Sequence, residues 1–274
     1  MNEKALLEIH DLSVSFSDAG PPAVRGISLN VMPGQRVGLI GESGSGKSVS
    51  AMSVLRLNDE KAVKYGLSST IKFNGKELLR APLKDIRRIC GAEISMIFQD
   101  PMAVLNPVFR VGDQVRDVLV AHQQISRRKA SEIAVASLDA VGIRNSNRVV
   151  RQYPHELSGG MRQRVMIAMA IASSPDLLIA DEPTSALDVT VQVGVLDTLG
   201  NLADNRGMAV LMITHDMGVV ARFCDYVNVM FQGEIVESGR VTDVLTSPKH
   251  AYTAKLLSAV PRLHQPAPKN ASRS

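Results

Sequence analysis

Apolar and polar residues alternate along Leu12-Ser13-Val14-Ser15-Phe16 and again along Ile27-Ser28-Leu29-Asn30-Val31, the pattern of strands with one buried face. The cluster Asp18-Ala19-Gly20-Pro21-Pro22 reads as a turn after the first, and Pro33-Gly34 stops the second. The short apolar run Arg36-Val37-Gly38-Leu39-Ile40 then leads through a Gly/Ser loop into a helical pattern. Strand, glycine loop and helix in that order begin an α/β unit. Two later runs, Leu177-Leu178-Ile179-Ala180 and Ala209-Val210-Leu211-Met212-Ile213-Thr214, read as strands buried within a parallel sheet. Each ends in charged or polar residues, and open α/β sheets gather their ligands beyond the carboxyl ends of strands. Between about Pro101 and Glu156 the period turns helical, as over 130–141, which predicts an inserted helical subdomain. From Pro261 to Ser274 the chain is Pro-, Ser- and Lys/Arg-containing without apolar period, so a disordered basic tail is expected. No internal repeat is visible.

Composition narrows the class. At 274 residues the chain can bury a full core, and 45% hydrophobic with 21% charged residues argues against wholesale disorder. Cys90 and Cys224 are the two cysteines, far apart and outside any CxxC pattern. That excludes a disulfide scaffold and a cysteine-based zinc or iron–sulfur site in this chain, and fits a reducing compartment. The first eight residues carry acids and no long apolar core, so no signal peptide is expected. No uncharged apolar run approaches the roughly 18–20 residues of a membrane span. Aromatics make up 4% with no Trp, which speaks against a base-stacking platform. The formal charge is +4, and Arg262, Lys269 and Arg273 of the tail supply most of it. The remainder is close to neutral, so no basic face for nucleic acid is expected.

The sharpest chemistry is Gly41-Glu42-Ser43-Gly44-Ser45-Gly46-Lys47-Ser48, a full G-x-x-x-x-G-K-[ST]. Glycines let the backbone wrap a phosphate with its N–H groups inward, and the following helix adds donors and the positive end of its dipole. Lys47 would place a charge on the β- and γ-phosphates, and Ser48 a hydroxyl on Mg²⁺. Far along the chain, the strand at 177–180 ends in Asp181-Glu182. Asp181 suits a direct or second-sphere Mg²⁺ position, and Glu182 a general base for an attacking water. Leu157-Ser158-Gly159-Gly160-Met161-Arg162-Gln163-Arg164 presents a second anion-binding helix N-terminus, which makes sense if it serves another subunit's nucleotide.

This octet resembles the signature of ABC ATPases, with Met161 where many members carry Gln. The order of motifs over about residues 6–261 is similar to that of ATP-binding subunits of ABC transporters. The resemblance implies a P-loop NTPase (RecA-like) α/β core with an antiparallel β subdomain and the helical insertion at about 101–158. Together they make one ATPase domain over 1–260. It also implies an adenine-stacking role for Phe16 and a catalytic, Mg²⁺-facing role for Gln99. Asp188, in Ser185-Ala186-Leu187-Asp188, falls in the D-loop as a further nucleotide-binding residue, and His215 at the switch histidine. Alone, Phe16 reads more readily as strand core, Gln99 as a solvated loop residue and His215 as a satisfied strand-end histidine. Two such domains would pair head to tail around two Mg-ATP. Gly41 to Ser48 of one would face Ser158, Gly159 and Gly160 of the other, a two-fold arrangement.

Subfamily features are present as well. Met96-Ile97-Phe98-Gln99-Asp100-Pro101-Met102, Tyr153-Pro154-His155-Glu156 and Ser247-Pro248-Lys249-His250-Ala251-Tyr252-Thr253 look like those of bacterial oligopeptide, dipeptide and nickel or metal-chelate importers. The implied partners are two membrane permeases, a second copy or a paralogous ATPase, and a solute-binding protein. The implied place is the cytoplasmic face of the inner membrane. No cysteine follows Cys224, so the cysteine-rich extension of many peptide importers is missing and no iron–sulfur cluster is expected; this keeps the nickel branch open. The rival classes are a soluble ABC ATPase acting on nucleic acid or ribosomes, which usually needs insertions or a second cassette, and a P-loop kinase, which would not need 157–160.

Overall fold

The computed structural model describes residues 4–17, 20–185 and 187–258. The expected turn falls partly, and the expected tail wholly, outside these residues. The chain begins with β1 (Leu7–Ser15), β2 (Val24–Val31) and β3 (Arg36–Ile40), followed by α1 (Lys47–Val54). Three short strands follow, β4 (Lys64–Tyr65), β5 (Thr70–Phe73) and β6 (Lys76–Glu77), then α2 (Leu83–Ile89) and β7 (Ile94–Ile97). The next stretch is helical: α3 (Pro101–Val104), α4 (Val111–His122), α5 (Arg127–Ala140), α6 (Ser146–Val149), a 3-10 turn at Pro154–Glu156 and α7 (Gly159–Ile171). β8 (Leu177–Asp181), α8 (Val189–Arg206), β9 (Ala209–Thr214) and α9 (Met217–Phe223) return to alternation. The hairpin of β10 (Tyr226–Phe231) and β11 (Glu234–Arg240), then α10 (Val241–Thr246) and α11 (Ala251–Ser258), complete the described chain.

Two sheets result. The antiparallel sheet runs β2-β1-β5-β6 with β4 also on β1, and its alternation buries Leu7, Ile9, Leu12 and Val14 on one face. The larger sheet runs β11-β10-β3-β9-β8-β7, and every pairing from β10 to β7 is parallel. Its parallel strands β3, β8 and β9 are buried on both sides, with a division that follows the period of two. Leu39, Ile179, Leu211 and Ile213 pack toward the antiparallel sheet and α1. Ile40, Leu178, Ala180, Val210 and Met212 pack toward α7, α8 and α9. That explains why both long apolar runs lack alternation in sequence: both faces need apolar side chains.

The parallel register fixes the site. The loops after β3, β9, β8 and β7 all leave from one edge of the sheet, because parallel strands end on the same side. The helical insertion expected at about 101–158 contains α3 to α6. A small apolar centre of Val115, Leu119, Ala130 and Ala134 joins α4 to α5, with Ala172 beneath it. The expected strand at 12–16 begins earlier, at Leu7, because the pairing of Leu7 with Val31 and Phe73 extends it.

Candidate functional site

At the shared edge lies a cavity of about 760 Å³, lined among others by Gly41 to Gly44, Gly46, Lys47, Ser48, Gln99, Glu182 and His215. The loop after β3 forms its floor. Gly41 starts it with no room for a side chain, since a Cβ there would stand 2.1 Å from the Met230 carbonyl oxygen. Gly46 closes it at φ 104, a left-handed conformation, with the Ala23 carbonyl oxygen 2.5 Å from where a Cβ would sit. Lys47, only 5% exposed, donates from Nζ to the carbonyl oxygens of Gly41 and Glu42, each at 2.8 Å. Burial pushes the Lys47 pKa down, partly countered by the charges of Glu182 and Asp181. A buried ammonium held on carbonyls is a cation ready for an incoming anion.

Asp181 ends β8 at 7% exposure, and burial raises its pKa. A hydrogen bond with Ser48 opposes that rise, Glu182 adds to it, and Lys47 lowers it. The Ser48 hydroxyl and the Asp181 carboxylate therefore sit together at the edge of the phosphate loop. Among the described residues no group of three or more His, Cys, Asp or Glu is arranged to hold a metal ion. One carboxylate with a hydroxyl nonetheless suits Mg²⁺, which keeps much of its shell for water and substrate phosphates.

Glu182 has φ 46, the left-handed region that a non-glycine side chain rarely adopts. Its N–H donates to the Ile213 carbonyl at 2.9 Å, which ties this bend to β9. The bend carries the carboxylate between two partners. Gln99 donates from Nε2 to Oε2 at 3.0 Å, and His215 Nδ1 stands 2.8 Å from Oε1. Both oxygens of one acid are thus oriented by side chains from the ends of β7 and β9. A water placed between this carboxylate and a phosphate on Lys47 would meet a base on one side and a cation on the other.

Other expected residues stand elsewhere. Phe16 lies just past β1, 42% exposed, outside the cavity lining. Ser158 caps α7, its hydroxyl accepting from Met161 N–H, and Asp188 caps α8, accepting from Val191 N–H at 3.0 Å. Neither lines the cavity of its own chain. Gln163, buried in α7, donates from its side chain to the Pro183 carbonyl and links the signature helix to the Glu182 bend. Sequence reasoning gave no role to Gln163, nor to Ala23, Val49, Lys255 and Leu256, which also line the cavity. Val49 follows Ser48 in α1, whereas only long-range folding brings Ala23, Lys255 and Leu256 there.

Comparison with known proteins agrees with this geometry. The ABC transporter family model matches residues 24–185, more than half of the chain, and the model for the oligopeptide/dipeptide transporter C-terminal region matches 236–273. The chain is 49% identical over 97% of its length to the peptidoglycan transport ATP-binding protein YejF of Agrobacterium fabrum, of which it spans 49%. It is 46% identical over 94% of its length to the oligopeptide transport ATP-binding protein OppD of Salmonella typhimurium, of which it spans 77%. Among solved structures, the dimeric structure of MJ0796, a bacterial ABC transporter cassette, aligns with a TM-score of 0.75 at 25% identity, over 86% of this chain and 98% of that one.

Proposed function

Because this chain belongs to the ABC transporter family, we propose that it binds and hydrolyses Mg-ATP as the ATP-binding subunit of a bacterial peptide importer. The observation that carries the chemistry is the Gln99–Glu182–His215 cluster facing the Lys47 loop across one cavity. The two relatives' names, which speak of peptidoglycan and oligopeptide transport, support the cargo class and favour transport over work on nucleic acid or ribosomes. Nickel or a metal chelate is the second cargo to test.

The geometry and the family resemblance together support the following roles. The loop N–H groups, Lys47 and the α1 terminus bind the phosphates. Ser48, Asp181 and Gln99 would hold Mg²⁺ arriving with the nucleotide, which when bound would neutralise charge on the γ-phosphate. Glu182 accepts the proton of the attacking water, while Gln99 and His215 keep its carboxylate aimed. Ser158, Gly159 and Gly160, outside the cavity of their own chain, act on the nucleotide of a partner cassette, a second copy or a paralogue, and Asp188 is a further nucleotide-binding residue. The dimeric structure of a related cassette supports such pairing. Phe16 receives the adenine. Residues 1–260 work as one ATPase domain.

Among the described residues no helix is long and apolar enough to cross a membrane. The relatives' names as transport ATP-binding proteins support permease partners for membrane passage, with this subunit at the cytoplasmic face and a solute-binding protein delivering cargo. The test is reconstitution with the neighbouring permeases in vesicles. ATP hydrolysis stimulated by peptide-loaded binding protein is expected; stimulation by nickel alone would move the cargo assignment, and stimulation by nucleic acid would overturn it.

A further inference from the structure

The phosphate loop is gripped from outside as well as from within. Its outer contacts come from the last part of the described chain. The Met230 carbonyl packs against Gly41, and Gly233 N–H donates to the Ser45 carbonyl at 3.0 Å. Tyr252 Oη accepts from Glu42 N–H at 2.9 Å. That N–H belongs to the Gly41–Glu42 peptide, whose carbonyl, on Gly41, accepts from Lys47 Nζ at 2.8 Å. One peptide unit is therefore held at both ends, by a tyrosine on one side and by the phosphate-loop lysine on the other.

Tyr252 is itself firmly placed. It is 7% exposed, and its ring lies 4.2 Å from that of Phe231 at the end of β10. The turn leading into α11 is pinned by Glu237 of β11, whose two carboxylate oxygens accept from Lys249 N–H at 2.8 Å and His250 N–H at 3.0 Å. Tyr252 N–H in turn donates to His250 Nδ1. Farther along the same helix, Lys255 and Leu256 form part of the cavity wall.

We propose that Tyr252 is a positioning residue for the phosphate loop, its hydroxyl holding the Glu42 peptide so that the C-terminal segment pinned by Glu237 tunes nucleotide affinity. This rests on the reading of the Lys47 loop as the nucleotide site. A part-buried backbone N–H that loses its partner turns toward a new one, and here that rotation would turn the Gly41 carbonyl that Lys47 uses. The hydroxyl acts through the loop and does not itself touch the nucleotide.

The test compares the full chain with Tyr252→Phe, which keeps the ring on Phe231 and removes only the acceptor. Equilibrium titration with trinitrophenyl-ATP, displaced by Mg-ATP, is expected to show affinity weakened about three- to tenfold. In steady-state hydrolysis KM should rise by a similar factor while kcat stays within about twofold. The melting temperature without nucleotide should stay within about 2 °C. Glu237→Ala, which frees the Lys249 and His250 N–H groups, should weaken affinity in the same direction and tests the idea without altering Tyr252. Unchanged affinity in both variants overturns the proposal, as does a lowered melting temperature or kcat with unchanged affinity. Lys47→Ala is the separate control. If it binds nucleotide like the parent chain, the site reading itself fails; if it loses binding while both C-terminal variants bind normally, only the role of Tyr252 fails.

Discussion

His215 Nδ1 stands 2.8 Å from Glu182 Oε1, joining the ends of β9 and β8, two adjacent parallel strands. The contact spans 33 positions of sequence and exists because Asp181 pairs with Ile213, which sets the residues after each strand side by side. The proposed general base, Glu182, is thus positioned by sheet register rather than by a flexible loop, and that geometry allows sharp tests.

Glu182→Gln keeps the size of the side chain and its place between Gln99 and His215 but cannot take up a proton. Hydrolysis should fall about 10²- to 10⁴-fold, while Mg-ATP affinity stays within about threefold. Single-turnover assays and equilibrium titration measure the two. Near-normal turnover would remove Glu182 from the role of base.

Asp181→Asn separates stability from chemistry. Burial raises the folded-state pKa of this acid, so its stabilising contribution is full below the unfolded pKa and is lost as pH rises through the folded value. At neutral pH the charged form is the costly one. The amide should therefore melt at or above the parent temperature in nucleotide-free, Mg²⁺-free buffer, yet lose Mg²⁺-dependent hydrolysis. A clear drop in melting temperature would show that the Lys47 and Ser48 interactions outweigh burial.

Gly41→Ala should fail through packing alone. Its Cβ would stand 2.1 Å from the Met230 carbonyl oxygen, a backbone atom that cannot swing away. Overpacking of this kind costs about 1–3 kcal/mol, so calorimetry should show a melting temperature lower by several degrees, together with weaker nucleotide binding. An unperturbed melt would mean that β10 moves freely relative to the loop.

Gly159→Ala is the opposite case. A Cβ there meets nothing within 4 Å in its own chain. The melt should be unchanged and monomeric nucleotide binding intact, while hydrolysis by the paired cassettes falls. Ser158→Arg should likewise spare monomeric binding and lower paired hydrolysis, with a small drop in melting temperature from loss of the α7 cap. Mixed with Glu182→Gln, it should restore part of the activity through the one composite site free of both changes. No recovery on mixing would argue against sites shared between subunits.

Much of the site was legible in the chain because short-range chemistry encodes it. Gly41 to Ser48 is one contiguous loop whose glycines and Lys47 specify its conformation locally, and Asp181-Glu182 follows a strand marked by its apolar run. Other elements carried weaker signals. β4 and β6 are two residues each, too short for any period, and form because β1 and β5 offer them an edge. The β10–β11 hairpin shows why the loop is held as it is, and its contact with Gly41 has no trace in either segment alone.

The sequence by itself determined the residue types, the phosphate loop, the buried parallel strands and the family resemblance, since these depend on local conformation and periodicity. Tertiary structure alone decided which side chains meet. Gln99 reaches Glu182 across 83 positions and Tyr252 reaches Glu42 across 210, and both contacts follow from strand order and helix docking. The physical reason is that hydrogen bonds of this kind need partners within about 3 Å, and only the packed core brings segments so distant in sequence that close.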